Sequence, residues 1–182
     1  RSSSPWPRVT TSWDVASAWG AIAVLLQRHR ASAHRSRLEK EKSRCELTHI
    51  ALVACASKKR EEPARARDLY QSALFRKSLR YTEEILKPDR AFVLSAKHHL
   101  LPFDQVVEPY DVTLNRMGAD EVREWAETVL SQLEKVADLD DDRFTILAGQ
   151  KYRRHLVPEL STVAVPMEGM RIGEQLQFLN EA

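Results

Sequence analysis

The sequence predicts an α/β domain: a three-layer sandwich with a mostly parallel central sheet of about four or five strands, plus an N-terminal helical extension. Three observations predict it. Four short apolar runs, at 49–55, 90–96, 144–149 and 162–165, read as strands, the first apolar on both faces. Stretches with apolar residues at helical spacing separate them. Strands alternating with helices give a parallel sheet covered on both sides. No period of 20–50 residues repeats.

The 182 residues divide unevenly in charge. Positions 1–46 carry nine Lys and Arg against four Asp and Glu, whereas the remainder is mildly acidic, and the whole chain is only +2. We read 1–46 as a basic N-terminal helical arm or linker and 47–182 as the α/β catalytic or binding domain. A basic arm on an acidic body suits a polyanion as partner. The apolar fraction, 43%, is enough for a proper core. Cys45 and Cys55 form neither a metal-ligand pattern nor a disulfide framework, so a reduced, cytoplasmic chain without metal or other cofactor is expected. No apolar run approaches the roughly 18 residues that span a bilayer, so no membrane partner is expected.

In chain order, 1–11 is rich in Ser, Pro and Arg. A helix is predicted from Ser12, whose hydroxyl can cap the first turn. Its stripe of Val15, Ala18, Trp19, Ile22, Leu25 and Leu26 can pack on the body or on a second copy, which allows a homodimer through the N-terminal helix. The stretch 27–44 turns polar and basic. His49–Cys55 is the first strand, and it breaks into Ser57-Lys58-Lys59. Asp68–Ser72 reads as a helix entrance and 73–86 as an amphipathic helix stopped by Pro88. Arg90–Ala96 is the second strand, followed by a long loop from Lys97 to Arg116. Gly118–Val136 is the clearest helix, with Val122, Trp125, Val129, Leu133 and Val136 on one face. Phe144–Gly149 is the third strand, 150–156 a short helix, Thr162–Val165 the fourth strand and 174–180 a closing helix.

In open α/β sheets, ligands bind beyond the carboxyl ends of the strands. Each predicted strand ends in groups suited to that task. Ser57, Lys58 and Lys59 follow the first and suit a phosphate, although this is no glycine-rich phosphate loop. Ser95, Lys97, His98 and His99 follow the second, and histidine is the usual acid or base near neutral pH. Tyr110 and Asp111 follow a restraining proline. Gln150 and Tyr152 lie after the third strand and Arg171 after the fourth, beside glycines that let backbone approach a ligand. Asp68 and Tyr70 are further candidates, equally readable as a helix cap and a core aromatic. Cys55 is either a small buried residue or a nucleophile.

The ordered segments Val53–Lys59, Asp68–Phe75, Leu94–Leu101, Pro109–Leu114 and Ala148–Tyr152 resemble an uncharacterised bacterial and phage family. Its motifs run LSAKxGLL and PYDxTL. That family is distantly similar to the YaaA peroxide-stress proteins and, more remotely, to the uracil-DNA-glycosylase type of α/β fold. The resemblance spans about Ile50 to Leu179, and His99 stands where the family has glycine.

The leading expectation is an enzyme acting on a nucleobase in DNA or a nucleotide, most plausibly an N-glycosidase. Such chemistry needs an aromatic to stack on the base, polar groups on its edge, and groups that activate water or stabilise the departing base. Tyr70, Phe75, Tyr110 or Tyr152 can stack. Asp111 or Asp68 can orient water or support a sugar cation. Lys97 and His98 can stabilise negative charge, and Ser57, Lys58 and Arg171 can hold phosphate. The alternatives are a non-catalytic DNA-binding stress or defence protein and a small-molecule enzyme using Cys55.

Overall fold

A computed structural model describes residues Leu47–Ala182. The basic arm, its predicted helix and the dimer surface on it lie outside the described residues.

The centre of the sheet is β1, His49–Ala54, four of whose residues, Ile50 to Val53, are wholly buried. A strand this apolar needs cover on both faces. β1 receives parallel neighbours on each side: β3, Arg90–Ser95, pairs Leu52 with Phe92, and β6, Arg143–Leu147, pairs Leu52 with Ile146. A three-residue strand, β7, Thr162–Ala164, extends the β6 side in parallel. On the far edge β4, His99–Pro102, returns antiparallel to β3. The order is β4-β3-β1-β6-β7, within the predicted strand number.

Side chains alternate across the sheet. Ile50, Leu52, Phe92, Leu94, Phe144 and Ile146 belong to one core, completed by Val122, Trp125, Ala126, Val129 and Leu133. Those five lie on one helix, α3, Ala119–Leu133. Val53, Val93 and Leu147 belong to the other core. It is closed by α1, Ala66–Leu69, by α2, Ala73–Tyr81, and by α5, Ile172–Glu181, through Leu69, Phe75 and Leu179. A four-residue helix, α4, Gln150–Arg153, follows β6.

Three expectations are corrected. The helix predicted over 73–86 is α2 followed by a π-helical turn, Thr82–Leu86. The buried Thr82 hydroxyl donates to the Ser78 carbonyl at 2.8 Å, a back-bond that competes with regular helix geometry. α3 stops at Leu133 rather than Val136, because the amides of Val136 and Ala137 turn back onto the Leu133 carbonyl. The stretch 97–116 is not an uninterrupted loop. It holds β4 and the short β5, Val106–Val107, which pairs antiparallel with β2, Ala64–Arg65. Leu101, Phe103 and Val107 from this stretch are buried in the second core, which is why the chain folds back there.

One carboxylate fixes the amino edge of the sheet. Asp142 is buried and accepts from the amides of Thr48 at 2.8 Å and Asp138 at 2.9 Å, joining the entries to β1 and β6. No described helix is long and apolar enough to cross a membrane.

Candidate functional site

The carboxyl ends of β1, β3 and β6 deliver Cys55, Ser95 and Ala148 to one edge of the sheet. The connection after β1 packs on the face covered by α2, and the connection after its neighbour β6 packs, through Leu156 and Leu160, on the face covered by α3. Such divergence opens a crevice beyond the strand ends.

At its heart is a line of hydroxyls. The Ser95 Oγ lies 2.7 Å from the Tyr110 hydroxyl, which lies 2.8 Å from that of Tyr70. Ser95 and Tyr70 are almost wholly buried, and Tyr110 is half-buried. The hairpin between β3 and β4 locks Ser95: the amides of His98 and Lys97 donate to its Oγ at 2.9 and 3.3 Å. The indole N–H of Trp125, on α3, donates to the Ser95 carbonyl at 2.9 Å. His99, which closes the turn, has φ 59°, the left-handed region that glycine adopts most freely.

Cations and aromatic rings surround Tyr110. The Lys59 ammonium stands 4.2 Å from its ring centroid and that of Lys97 5.7 Å. The His98 imidazole meets the ring edge-on at 5.3 Å. Burial lowers the Lys59 pKa, and the charges of Cys55 and Asp111 oppose the shift. His98 is lowered by burial first and then by Lys97 and His99, so it is neutral at pH 7. Its Nε2 is buried without a hydrogen-bond partner among the described residues. Burial raises the phenols: Tyr70 is pushed up to about 12, and Tyr110 and Tyr152 also rise, chiefly through burial and then the nearby Cys55 charge. All three are neutral hydroxyls at physiological pH.

Beside this cluster lies a cavity of about 480 Å³. Cys55 and Ser57 after β1, Ala148 and Gly149 after β6, and the first turns of α2 and α5 line it. Its walls are mainly apolar, with Leu74, Phe75, Leu147, Met167 and Leu176, and its polar groups include Ser72, Asn115 and Gln175. None of its lining residues is charged. The size lies in the range of small-molecule sites. Tyr70 of the cluster packs on Phe75 of the cavity wall with centroids 4.9 Å apart, and Cys55 Sγ at the cavity is 3.2 Å from the Tyr152 hydroxyl.

Of the residues singled out from the sequence, Tyr70, Ser95, Lys97, His98 and Tyr110 form the cluster, and Ser57 and Tyr152 adjoin the cavity. Asp111 is exposed at the mouth, 3.3 Å from Arg116, and near enough for its charge to act on Lys59. Lys58, Asp68, Gln150 and Arg171 are exposed. Asp68 accepts from the Gln71 side chain through its backbone carbonyl, and Arg171 caps α5, its amide bound by Glu174. Lys59, not Lys58, turns inward over the aromatic pair, because adjacent residues in extended chain face opposite ways. Trp125 was legible only as part of a helical apolar stripe, and no local signal marks its indole as a support for Ser95. Among the described residues, no three His, Cys, Asp or Glu stand together as a metal site would need.

Fold and site together define an α/β protein with a cavity at the carboxyl edge of a mostly parallel sheet. The chain belongs to the family of unknown function DUF6884, whose model matches residues 50–181. No curated protein and no solved structure matches it.

Proposed function

We propose that the chain is a nucleobase-processing hydrolase acting on DNA or nucleotides, of the N-glycosidase type. One observation carries this: an uncharged, ring-sized cavity adjoins a cluster in which two ammonium groups and an imidazole surround Tyr110. Hydrolysis breaks the bond between base nitrogen and sugar carbon. The base leaves with the electron pair and takes up a proton, and water supplies oxygen to the sugar carbon. Lys59, Lys97 and His98 offset charge building on the base, most strongly where water is excluded. Asp111, released from Arg116, faces the sugar cation or the incoming water. Exposed Lys58 and Arg171 receive phosphate, and the basic arm adds salt-dependent affinity if the substrate is DNA. The remote likeness to the YaaA and uracil-DNA-glycosylase folds belongs to this proposal, as does a cytoplasmic setting in which Cys55 stays a free thiol. A homodimer through the N-terminal helix is a further part of it.

The test is incubation with oligonucleotides containing uracil, hypoxanthine or hydroxymethyluracil, and with the free nucleotides, followed by chromatography for released base. Release that is lost in Asp111→Ala and His98→Ala supports the proposal. Salt-sensitive oligonucleotide binding without release from any substrate replaces it with a non-catalytic DNA-binding role. A second reading has its own observation: Cys55 lines the cavity, where its thiol can reach a ligand as a nucleophile. Under that reading iodoacetamide abolishes turnover; under the first, Cys55→Ala keeps it.

A further inference from the structure

The hydroxyl line has a direction, and it can be derived by counting protons. Ser95 Oγ accepts from two backbone amides, which uses both its lone pairs. Its own proton therefore goes to Tyr110, 2.7 Å away. Tyr70 is 1% exposed, and Tyr110 is the hydrogen-bond partner of its hydroxyl. If Tyr110 donated to Tyr70, the Tyr70 proton would be left buried without an acceptor, which costs about 1–3 kcal/mol. The favoured arrangement has Tyr70 and Ser95 both donating to the Tyr110 oxygen. That oxygen is then saturated as an acceptor, and its own proton has no assigned partner in the cluster. Tyr110 is also the half-buried member of the three, the other two being almost wholly buried. Next to it, His98 Nε2 is a second buried polar atom with an unused valence. In the cavity, Gln175 commits its amide nitrogen to the Met170 carbonyl at 2.8 Å and so offers its amide oxygen.

We infer that Tyr110 presents its hydroxyl proton to a ring carbonyl oxygen of the ligand, with Ser95 and Tyr70 as its positioning residues, so that the site selects bases bearing an oxo group. This deepens the nucleobase reading and rests on it. The burial that keeps Tyr110 a neutral donor also strengthens its hydrogen bond to a carbonyl that gains charge as the base departs. The ammonium of Lys59, over the same ring, acts on that charge from the side. The ligand offers an acceptor oxygen to Tyr110 and an N–H to Gln175, as an oxo ring with an adjacent ring N–H does.

The test is equilibrium binding of two free bases, hypoxanthine and purine, which differ in the 6-oxo group and the ring proton that accompanies it. It uses the full chain and its Tyr110→Phe and Ser95→Ala variants. Wild type is expected to prefer hypoxanthine by roughly tenfold, the equivalent of one hydrogen bond. Tyr110→Phe should lower hypoxanthine affinity more than purine affinity and so cut the preference severalfold, the Gln175 contact remaining, and Ser95→Ala should reduce it less. A merely structural role for Tyr110 would weaken both bases alike, so the ratio is the deciding readout, and equal loss of both overturns the inference. Equal binding of the two bases by wild type overturns it while leaving the base-site reading standing, and this result needs no folded variant. Binding of neither base removes the base-site reading and the inference together.

Discussion

His99 offers a test in which the sign of the effect, not only its size, is at stake. Its φ of 59° places an L-residue in the left-handed region. That conformation costs a residue with a Cβ roughly 1–2 kcal/mol, and glycine almost nothing. At an ordinary position the order is reversed, because glycine loses more chain entropy on folding and falls about 0.5–1 kcal/mol below alanine. Replacing His99 by either residue removes the same half-buried imidazole, so comparing the two variants cancels that loss. What remains is the backbone. We expect His99→Gly to exceed His99→Ala in stability by about 1 kcal/mol, or roughly 2–4 °C in Tm for a chain of this size. Urea unfolding with a common m-value is the assay. Arg123, exposed in the second turn of α3, is the control, where alanine should exceed glycine by about 1 kcal/mol. Alanine equal to or better than glycine at 99 would refute the claim that this turn demands a left-handed residue.

Other consequences follow from single contacts. Trp125→Phe strips the Ser95 carbonyl of its indole donor inside the core and should cost about 1–3 kcal/mol, read by chemical denaturation. Asp142→Ala leaves the Thr48 and Asp138 amides without their acceptor and should cost a similar 1–3 kcal/mol, again by denaturation. The folded-state pKa values of His49, His98 and His99 are all lowered, chiefly by burial. The unfolded chain then binds more protons than the folded one just below pH 6.5, so stability is full above that pH and declines as pH falls through the lowered values. The decline should be shallower in His98→Gln, measured by thermal unfolding across pH 4.5–7.5.

The sequence was most legible where the fold depends on local pattern. Ile50 to Val53 announce a central strand because no polar residue interrupts them, and Val122, Trp125, Val129 and Leu133 announce α3 by their spacing. It was least legible where pairing is distant or slight. β2 and β5 are two residues each and meet across some forty positions, and β4 begins at a histidine and ends at a proline. In the site, strand ends gave the location, since Ser57, Ser95 and Tyr152 each follow an apolar run. The partnerships were out of reach. Tyr110 joins Ser95 from 15 positions away and Tyr70 from 40, and no local signal encodes that meeting. The choice between Lys58 and Lys59 turned on a single residue of phase, which the distant bridge between Lys59 and Tyr70 settles. Asp111 shows the converse: its neighbour Tyr110 points inward, and the alternation that buries one carries the other to the surface.

The most direct test of the account is the release of free base from a hypoxanthine-containing oligonucleotide, followed by mass spectrometry, with wild type and Lys59→Ala side by side. The account predicts hypoxanthine and an equal amount of abasic strand from wild type. It predicts loss of at least about tenfold in rate from Lys59→Ala, since a desolvated cation beside developing charge contributes that much or more. Intact oligonucleotide with wild type, under conditions where uracil, hydroxymethyluracil and free-nucleotide substrates are also untouched, would contradict it.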